Sequence, residues 1–296
     1  MADDEAPIQY RGWTRPGPLP PGGVPLEEGE TLDWLLGHWR IFQYERGHRF
    51  STDDVLCAWY ASSFAPRVER YCDLGSGIGS VALSVAWRLP AARVVTIEAQ
   101  AISRRLADKS VRYNGVAERF TLLEGDLRDP AVQEAARAAG GDPRGFDLVT
   151  GSPPYWPIGT ALPAQHPQAI PARLEVRGDI GDYARAAAAL LAPGGSFACV
   201  YQASQDARAR RAIADAGLVL LRTRGVHFKE GVPLEESGIA LYFAMRREDL
   251  PRFFDGARPI EEPPLCVRTP EGRTHREVAA VRLSYGFPPG VGPDDV

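Results

Sequence analysis

From residue 69 onward, short apolar runs alternate with longer segments in which apolar residues recur at helical spacing. The short runs predict strands at Arg70–Asp73, Arg93–Glu98, Phe120–Glu124, Phe146–Thr150, Ser196–Gln202, Val219–Arg224 and Ile239–Arg246. The longer segments predict helices at Ser80–Leu89, Gln100–Tyr113, Pro130–Ala139, Ile180–Leu191 and Gln205–Ala216. This alternation is typical of an α/β fold with a doubly wound, mostly parallel sheet, here of seven strands. No helical pattern separates the last two strands, so we expect the last strand to be antiparallel.

The pattern changes before this core. Residues 1–30 contain RPGPLPPGGVP, which predicts an extended or disordered arm rich in Pro and Gly. Apolar residues at mixed spacing in 31–44 predict a short helix followed by a strand. A further helix is expected to begin at Ser51 or Thr52, because either residue offers an N-cap and acids fill the first turn. Residues 31–68 therefore form an N-terminal cap that leads into the core, 69–247.

Residues 248–296 are again rich in Pro and Gly and predict a C-terminal extension with a short strand at Leu265–Arg268. Within the core, LAPGG at 191–195 is typical of a helix end followed by a turn.

Composition narrows the classes of function. Of 296 residues, 44% are hydrophobic, and the formal net charge of −4 does not favour the basic surface of a dedicated nucleic-acid-binding domain. The four cysteines are scattered without metal-ligand spacing, so we expect reduced thiols, a cytoplasmic protein and no metal site; they are Cys57, Cys72, Cys199 and Cys266. The acidic first residues are not typical of a signal peptide, and no apolar run is long enough to span a membrane.

A glycine-rich loop, DLGSGIGS at 73–80, lies between the first core strand and the next helix. Gly75, Gly77 and Gly79 allow a tight turn and a close backbone approach to a ligand, as in nucleotide-binding α/β folds. Acids follow at the ends of the next two strands, where Glu98 is placed to accept hydrogen bonds from ribose hydroxyls and Asp126 from an adenine amino group. A glycine turn alone is weak evidence, but three matching features on successive strands predict a nucleoside-type cofactor site.

The fourth core strand runs into TGSPPYWP, a corner with two prolines and two aromatic residues. Ser152 to Tyr155 resemble the [N/D/S]-P-P-[Y/F/W] motif of amino-methyltransferases, which implies an NH2 group as acceptor. An NH2 group conjugated to a ring is a poor nucleophile, because its lone pair is delocalised. Two acceptors, the Ser152 hydroxyl and the Pro153 carbonyl, would bind its hydrogens and turn the lone pair outward. Pro153 and Pro154 hold that carbonyl rigidly, and Tyr155 offers a stacking face to a planar acceptor. The simpler alternative is a strand that ends in prolines.

Together, the glycine loop, the strand-end acids and the corner resemble the class I S-adenosylmethionine (SAM) methyltransferases, which have a Rossmann-like fold. The resemblance implies that Asp73 to Gly79 hold the methionine end of SAM, Glu98 the ribose and Asp126 the adenine. It also implies that Ser152, Pro153, Pro154 and Tyr155 form the catalytic [N/D/S]-P-P-[Y/F/W] motif of amino-methyltransferases.

The segment from Gln43 to Ala58, QYERGHRFSTDDVLCA, is similar to the N-terminal motif of bacterial tRNA-Val (adenine-N6)-methyltransferases. In that family pattern, Asp53 helps to close the cofactor pocket. ARLE at 172–175 and PLCVRTPEGRTHREV at 264–278 resemble later family elements, and the likeness covers about residues 31–282. Ser152 departs from the Asn of the tRNA enzymes.

The resemblance therefore favours N6-methylation of an adenine in tRNA or another structured RNA. The base would have to be flipped into the corner, and basic residues grouped on one rim would bind phosphates: Arg173, Arg177, Arg222, Arg224, His227 and Lys229. The pattern fits equally well with scattered solvated charges interspersed with Glu175, Asp179 and Glu230. The insertion 157–178, which contains His166, is expected to shape the substrate pocket.

Three alternatives stay open. One is N-methylation of a small molecule or a protein glutamine, which the acidic composition and Ser152 favour. Another is DNA cytosine-N4 methylation, which also rests on the serine. The last is a SAM-binding regulator without turnover.

Overall fold

The computed structural model describes residues 9–10, 13–160, 166–254 and 258–288. Its strands are β1 Gln9–Tyr10, β2 Trp13–Thr14, β3 Glu30–Leu36, β4 Trp39–Tyr44, β5 Arg70–Leu74, β6 Arg93–Glu98, β7 Phe120–Glu124, β8 Phe146–Gly151, β9 Leu191–Gln202, β10 Leu218–His227, β11 Ile239–Arg246 and β12 Ile260–Cys266. Its α-helices are α1 Thr52–Phe64, α2 Ser80–Arg88, α3 Ala101–Tyr113, α4 Pro130–Gly140, α5 Ala169–Arg173, α6 Ile180–Leu190, α7 Asp206–Asp215, α8 Leu234–Ser237 and α9 Ala279–Ser284.

Eight of these strands form one sheet in the order β12-β10-β11-β9-β8-β5-β6-β7. Only β11 is antiparallel to its neighbours, β9 and β10. The chain builds β5, β6 and β7 outward in one direction and then returns to place β8 on the other side of β5. The predicted α/β fold with a mostly parallel sheet and an antiparallel β11 is confirmed. In such sheets, ligands bind at the carboxyl ends of the strands where the strand order reverses, here between β5 and β8.

Helices cover both faces of the sheet, because the central strands are apolar on both sides. In β5, Tyr71 and Cys72 are both fully buried although they point to opposite faces. One core lies under α1, α2 and α3, and the other lies under α4, α6 and α7. None of the helices within the described ranges is long and apolar enough to cross a bilayer.

Four local expectations differ from the structure. Residues 31–44 form an antiparallel hairpin of β3 and β4 rather than a helix and a strand, because Gly37 turns the chain at a φ of +45° between two apolar runs. The turn expected at 191–195 lies inside β9, where a register shift against β8 absorbs the extra residues. An eighth strand, β12, pairs with β10 in parallel. It begins at Ile260, ahead of the short strand expected at Leu265–Arg268.

Residues 13–30, the described part of the arm apart from Gln9–Tyr10, follow an extended path along the core. The backbone N–H of Gly22 donates to the Tyr113 carbonyl at 3.1 Å. Glu30, whose side chain is fully buried, forms an ion pair with Lys109 of α3, with Oε2 and Nζ 2.5 Å apart. Arg105, one turn earlier on α3, lies 3.1 Å from the other Glu30 oxygen. These contacts fasten the arm and the β3–β4 hairpin to α3.

We predict that Lys109→Met lowers the free energy of unfolding by about 3 kcal/mol, because it leaves the buried Glu30 carboxylate with Arg105 as its cationic partner. Urea unfolding of the purified protein measures the change. Lys229→Met is the matched control, since Lys229 is the other lysine of the chain and is exposed; its effect should stay within about 0.5 kcal/mol. Equal effects of the two substitutions would contradict the assigned role of the ion pair.

Candidate active site

A cavity of about 720 Å³ opens at the carboxyl ends of β5, β6 and β8. Its size is within the range of roughly 300–1,000 Å³ typical of sites for drug-sized ligands. Ten of the eleven predicted cofactor and catalytic residues lie in its wall: Asp53, Asp73, Gly75, Gly77, Glu98, Asp126, Ser152, Pro153, Pro154 and Tyr155. The exception is Gly79, which caps α2 in a left-handed conformation and packs against Ala107 of α3. The topology thus brings the glycine loop and the proline corner to one place.

The glycine loop leaves room for a ligand where side chains would otherwise lie. Gly75 and Gly77 have left-handed φ angles of +57° and +56°. A Cβ on Gly75 would come within 1.9 Å of the Tyr183 hydroxyl, whereas a Cβ on Gly77 would meet no atom within 4 Å. The first glycine is therefore required for packing against α6, and the second keeps a stretch of backbone open to the cavity.

Asp73 is 1% exposed and joins the loop to the corner. Its Oδ1 accepts a hydrogen bond of 2.6 Å from Thr150 of β8, whose hydroxyl also pairs with Tyr71. Its Oδ2 is buried and has no hydrogen-bond partner among the described residues. Burial raises the pKa of Asp73 to about 7. A buried carboxylate in the wall of a cavity is suited to pairing with a cationic ligand group.

Asp54, which follows Asp53 in the first turn of α1, is a further buried acid in the wall that sequence reasoning missed. Its Oδ2 accepts hydrogen bonds from the Ser80 hydroxyl at 2.9 Å and the Ser51 backbone N–H at 3.2 Å. Burial, reinforced by the charge of Asp53, raises its pKa to about 7. The signal was present in the sequence, because Ser51-x-x-Asp54 has the spacing of a capping box that turns this acid inward.

The two other acids at strand ends, Glu98 and Asp126, differ in the groups that donate hydrogen bonds to their carboxylate oxygens. Glu98 is buried, which raises its pKa, and accepts hydrogen bonds from the backbone N–H groups of Gly77 at 2.8 Å and Gln100 at 2.7 Å. Asp126 is more exposed and forms a two-oxygen pair with Arg128, which lowers its pKa. Because a carboxylate oxygen can accept more than one hydrogen bond, both groups keep acceptor capacity for a ligand.

The acid content of the wall fits SAM. Five carboxylates line the cavity, those of Asp53, Asp54, Asp73, Glu98 and Asp126. SAM carries a sulfonium and an ammonium, to which these carboxylates are complementary, and one carboxylate, to which the four arginines of the same wall are complementary: Arg46, Arg49, Arg173 and Arg177. The open backbone at Gly77 and the buried Asp73 carboxylate are also compatible with SAM, so the residues present fit the cofactor.

The proline corner begins where β8 ends. Pro153 and Pro154 are buried, while Ser152 and Tyr155 are half-buried at the cavity. The Tyr155 hydroxyl donates to Asp53 Oδ2 at 2.8 Å, and its ring meets the Tyr201 ring edge-on at 5.5 Å. The Tyr155 carbonyl accepts a hydrogen bond of 2.7 Å from Gln205. Sequence reasoning did not identify Tyr201 or Gln205, because they arrive from β9 and the turn after it.

The insertion after the corner closes on itself and on the N-terminal motif. Trp156 donates its backbone N–H to the Arg173 carbonyl and accepts from the Glu175 N–H, so 157–173 is a closed excursion. The buried Gln168 side chain accepts from the His48 N–H at 2.9 Å and donates to Ser103 at 3.1 Å. His166 lies in the cavity wall and stacks at 5.2 Å on Tyr44. Residues 161–165 of the insertion lie outside the described residues.

Of the six basic residues expected near the corner, two lie in the cavity wall. Arg173 and Arg177 line the cavity, together with Arg46, His48 and Arg49. The other four predicted members are not in its wall. Arg222 pairs with Glu262 and lies over Phe64, and Arg224 lies 5.7 Å from the centre of the Trp59 ring. His227 is the last residue of β10, and Lys229 follows in the loop after it. These four residues belong to β10 or the loop after it, and β11 lies between β10 and β9 in the sheet; their part in binding phosphates stays a prediction.

No family model matches the chain. It is 31% identical over 154 residues to a tRNA1(Val) (adenine(37)-N6)-methyltransferase of Porphyromonas gingivalis, covering 51% of this chain and 58% of the relative. It is 39% identical over 191 residues to a 4-amino-L-phenylalanine/4-methylamino-L-phenylalanine methyltransferase of Streptomyces pristinaespiralis, covering 56% and 59%. The chain thus spans only part of the length of these two relatives.

A longer match, 30% identical over 220 residues, covers 66% of this chain and 73% of a release factor glutamine methyltransferase of Bordetella pertussis. Among solved structures, a predicted O-methyltransferase from Agrobacterium tumefaciens shares the fold with a TM-score of 0.54 at 22% identity, covering 80% of this chain and 98% of that one. With a cavity whose residues fit the cofactor, these relationships place the chain in the class I SAM-dependent methyltransferases.

Proposed function

We propose that the protein transfers the methyl group of SAM to an NH2 group conjugated to a planar system, and that its acceptor is a small aromatic amine. The observation that carries the proposal is the corner, where the Ser152 hydroxyl and the Pro153 carbonyl meet the cavity beside a fixed Tyr155 ring. The named acceptors of the three relatives share this chemistry: an adenine amine, an aryl amine and a glutamine amide.

SAM, when bound, supplies a sulfonium methyl to the transfer. Glu98 would hold the ribose, Asp126 the adenine, and Asp73 with Asp54 the methionine end. Ser152 and Pro153 would bind the two N–H hydrogens of the acceptor and direct its lone pair. Because the nitrogen loses its proton after it becomes cationic, no strong base is required before attack, and positioning accounts for the rate.

A small aromatic amine is favoured over RNA by the charges around the corner. Of the six basic side chains expected to bind phosphates, two line the cavity, and Arg177 is tied to the Ala99 carbonyl at 2.8 Å. The chain is acidic overall. Ser152 and the 39% identity to an aryl amine enzyme support the same choice. tRNA adenine remains the second candidate, because the motif at Gln43–Ala58 contributes Arg46, His48 and Arg49 to the cavity wall.

The experiment is transfer of labelled methyl from SAM to 4-amino-L-phenylalanine, to unmodified tRNA and to a release factor, each at matched concentration. We expect label in the aromatic amine, and a loss on the order of 100-fold in kcat/KM for Ser152→Ala, because one preorganised polar group at the reacting centre is removed. SAM affinity should be unchanged in this variant. Ser237→Ala, at an exposed serine outside the cavity wall, is the control. Label in tRNA alone would replace the aromatic amine with adenine.

SAM binding should tighten as the pH rises from 6 to 7.5. In the free protein, the raised pKa values of Asp54 and Asp73 favour the neutral acids, so their contribution to folding is fullest below about pH 4 and is lost as the pH rises through about 7. A cationic ligand favours the ionised acids and therefore releases protons on binding. The expected gain in affinity is up to about tenfold per pH unit for each proton released.

Calorimetric titration with SAM at one pH, in two buffers of different ionisation enthalpy, counts the protons released. Asp54→Asn should lower that number and flatten the pH dependence. Asp108→Asn, an exposed acid of α3 paired with Arg112, should not change it. A wild-type affinity that is constant over this pH range would contradict the assignment of the two acids to the cofactor.

A further inference from the structure

Tyr155 is held by one hydrogen bond at its side-chain hydroxyl and by another at its backbone carbonyl. Its hydroxyl donates to Asp53 Oδ2 at 2.8 Å, and its backbone carbonyl accepts from Gln205 at 2.7 Å. Between these points, Tyr201 packs against the ring edge-on, with an angle of 88° between the two ring planes. Burial raises the pKa of Tyr155 well above its usual value, and the charge of Asp53 adds to this, so the phenol is a hydrogen-bond donor at neutral pH.

Asp53 is itself held by its place in α1. Its other oxygen, Oδ1, accepts a hydrogen bond of 2.7 Å from the hydroxyl of Ser51, the N-cap residue of the helix. Each carboxylate oxygen therefore binds a protein hydroxyl, and one of those hydroxyls belongs to the corner. The resemblance to tRNA enzymes implied that Asp53 helps to close the cofactor pocket. In the structure, its two carboxylate oxygens accept hydrogen bonds from Ser51 and Tyr155.

The neighbouring tyrosine, Tyr201, also donates its hydroxyl hydrogen bond to a carboxylate. The Tyr201 hydroxyl donates to Glu175 Oε1 at 3.0 Å and accepts from Arg208 at 2.9 Å. Arg208 also pairs with Glu175 through both of its terminal nitrogens. Tyr201 is fully buried, so it forms a rigid wall against which Tyr155 is set. Rotation of the Tyr155 ring is then opposed by packing on one side and by one hydrogen bond at its tip.

We propose that Asp53 is a positioning residue for the acceptor: its carboxylate fixes the phenol of Tyr155 so that the ring presents its face to the planar acceptor held by Ser152 and Pro153. The inference rests on the proposed function of the corner as the acceptor site. It assigns Asp53 to the acceptor side of the cavity and leaves the binding of SAM to the other four acids of the wall.

A double-mutant cycle of Asp53→Ala and Tyr155→Phe tests the assignment, because both substitutions remove the same hydrogen bond. Each single variant should lower kcat/KM for the aromatic amine roughly tenfold, the size of one charge-assisted hydrogen bond. The double variant should be no slower than the slower single variant. Asp53→Asn, which keeps an acceptor oxygen, should recover most of the activity. SAM affinity measured by calorimetry should stay within about twofold in every variant.

The chain offers a matched control pair outside the cavity. Tyr60 donates to Glu262 at 2.7 Å, in the same tyrosine–carboxylate geometry. Tyr60→Phe and Glu262→Ala should lower the melting temperature without changing kcat/KM for the acceptor. This pair separates a general structural loss from a loss of acceptor positioning.

Two results would overturn the inference without reference to any acceptor. One is a loss of SAM affinity of tenfold or more on Asp53→Ala that persists in the Tyr155→Phe background, which would make Asp53 a cofactor ligand. The other is strictly additive losses of melting temperature in the cycle, which would show that the two side chains are not coupled. Failure of the proposed function is a separate outcome: the wild-type protein binds SAM, yet does not methylate the aromatic amine.

Discussion

The hydrogen bond between Thr150 and Asp73 fixes the distance between the two halves of the site. It joins the carboxyl ends of β5 and β8 at 2.6 Å, and it is fully buried. On one side, Asp73 leads directly into the glycine loop. On the other, Thr150 leads through Gly151 into the proline corner. Because these two strands are parallel neighbours, with Asp73 paired to Thr150 in register, a shift of either strand would separate the glycine loop, the proposed site of the methyl donor, from the corner, the proposed site of the acceptor.

The helix α1 adds a third connection that the sheet alone does not provide. Its first turn contributes two adjacent acids with different directions. Asp54 points to Ser80 at the start of α2, beside the glycine loop, and Asp53 points to Tyr155 in the corner. A helix places successive residues about 100° apart around its axis, so neighbouring side chains reach different walls of one cavity. The motif at Gln43–Ala58 therefore connects the start of α2 and the corner through two hydrogen bonds.

The sequence predicts the succession of strands and helices in the core well for a physical reason. Short apolar runs separated by helical segments are typical of a parallel sheet that is covered on both faces, and β5 to β9 follow that pattern. The hairpin of β3 and β4 was not predictable in the same way, because its Leu and Trp residues suit a helix as well as a strand. Besides the turn at Gly37, tertiary contacts stabilise the hairpin: Arg40 donates its backbone N–H to Asn114, the C-cap residue of α3, and Phe42 donates its backbone N–H to Ser110 within α3.

The site residues also fall into two groups, those that a local sequence pattern identifies and those that only the folded structure reveals. Those that follow a strand end, such as Asp73, Glu98 and Ser152, are identified by position, since parallel strands deliver their carboxyl ends to one edge. Tyr183, Tyr201 and Gln168 lie within elements or in the insertion, and no local pattern marks them. Their contribution is to the shape of the cavity: Tyr183 fills the space beside Gly75, and Gln168 joins the insertion to His48 and Ser103. Such side chains meet only when the chain has folded, so the shape of the cavity could not be predicted from the sequence.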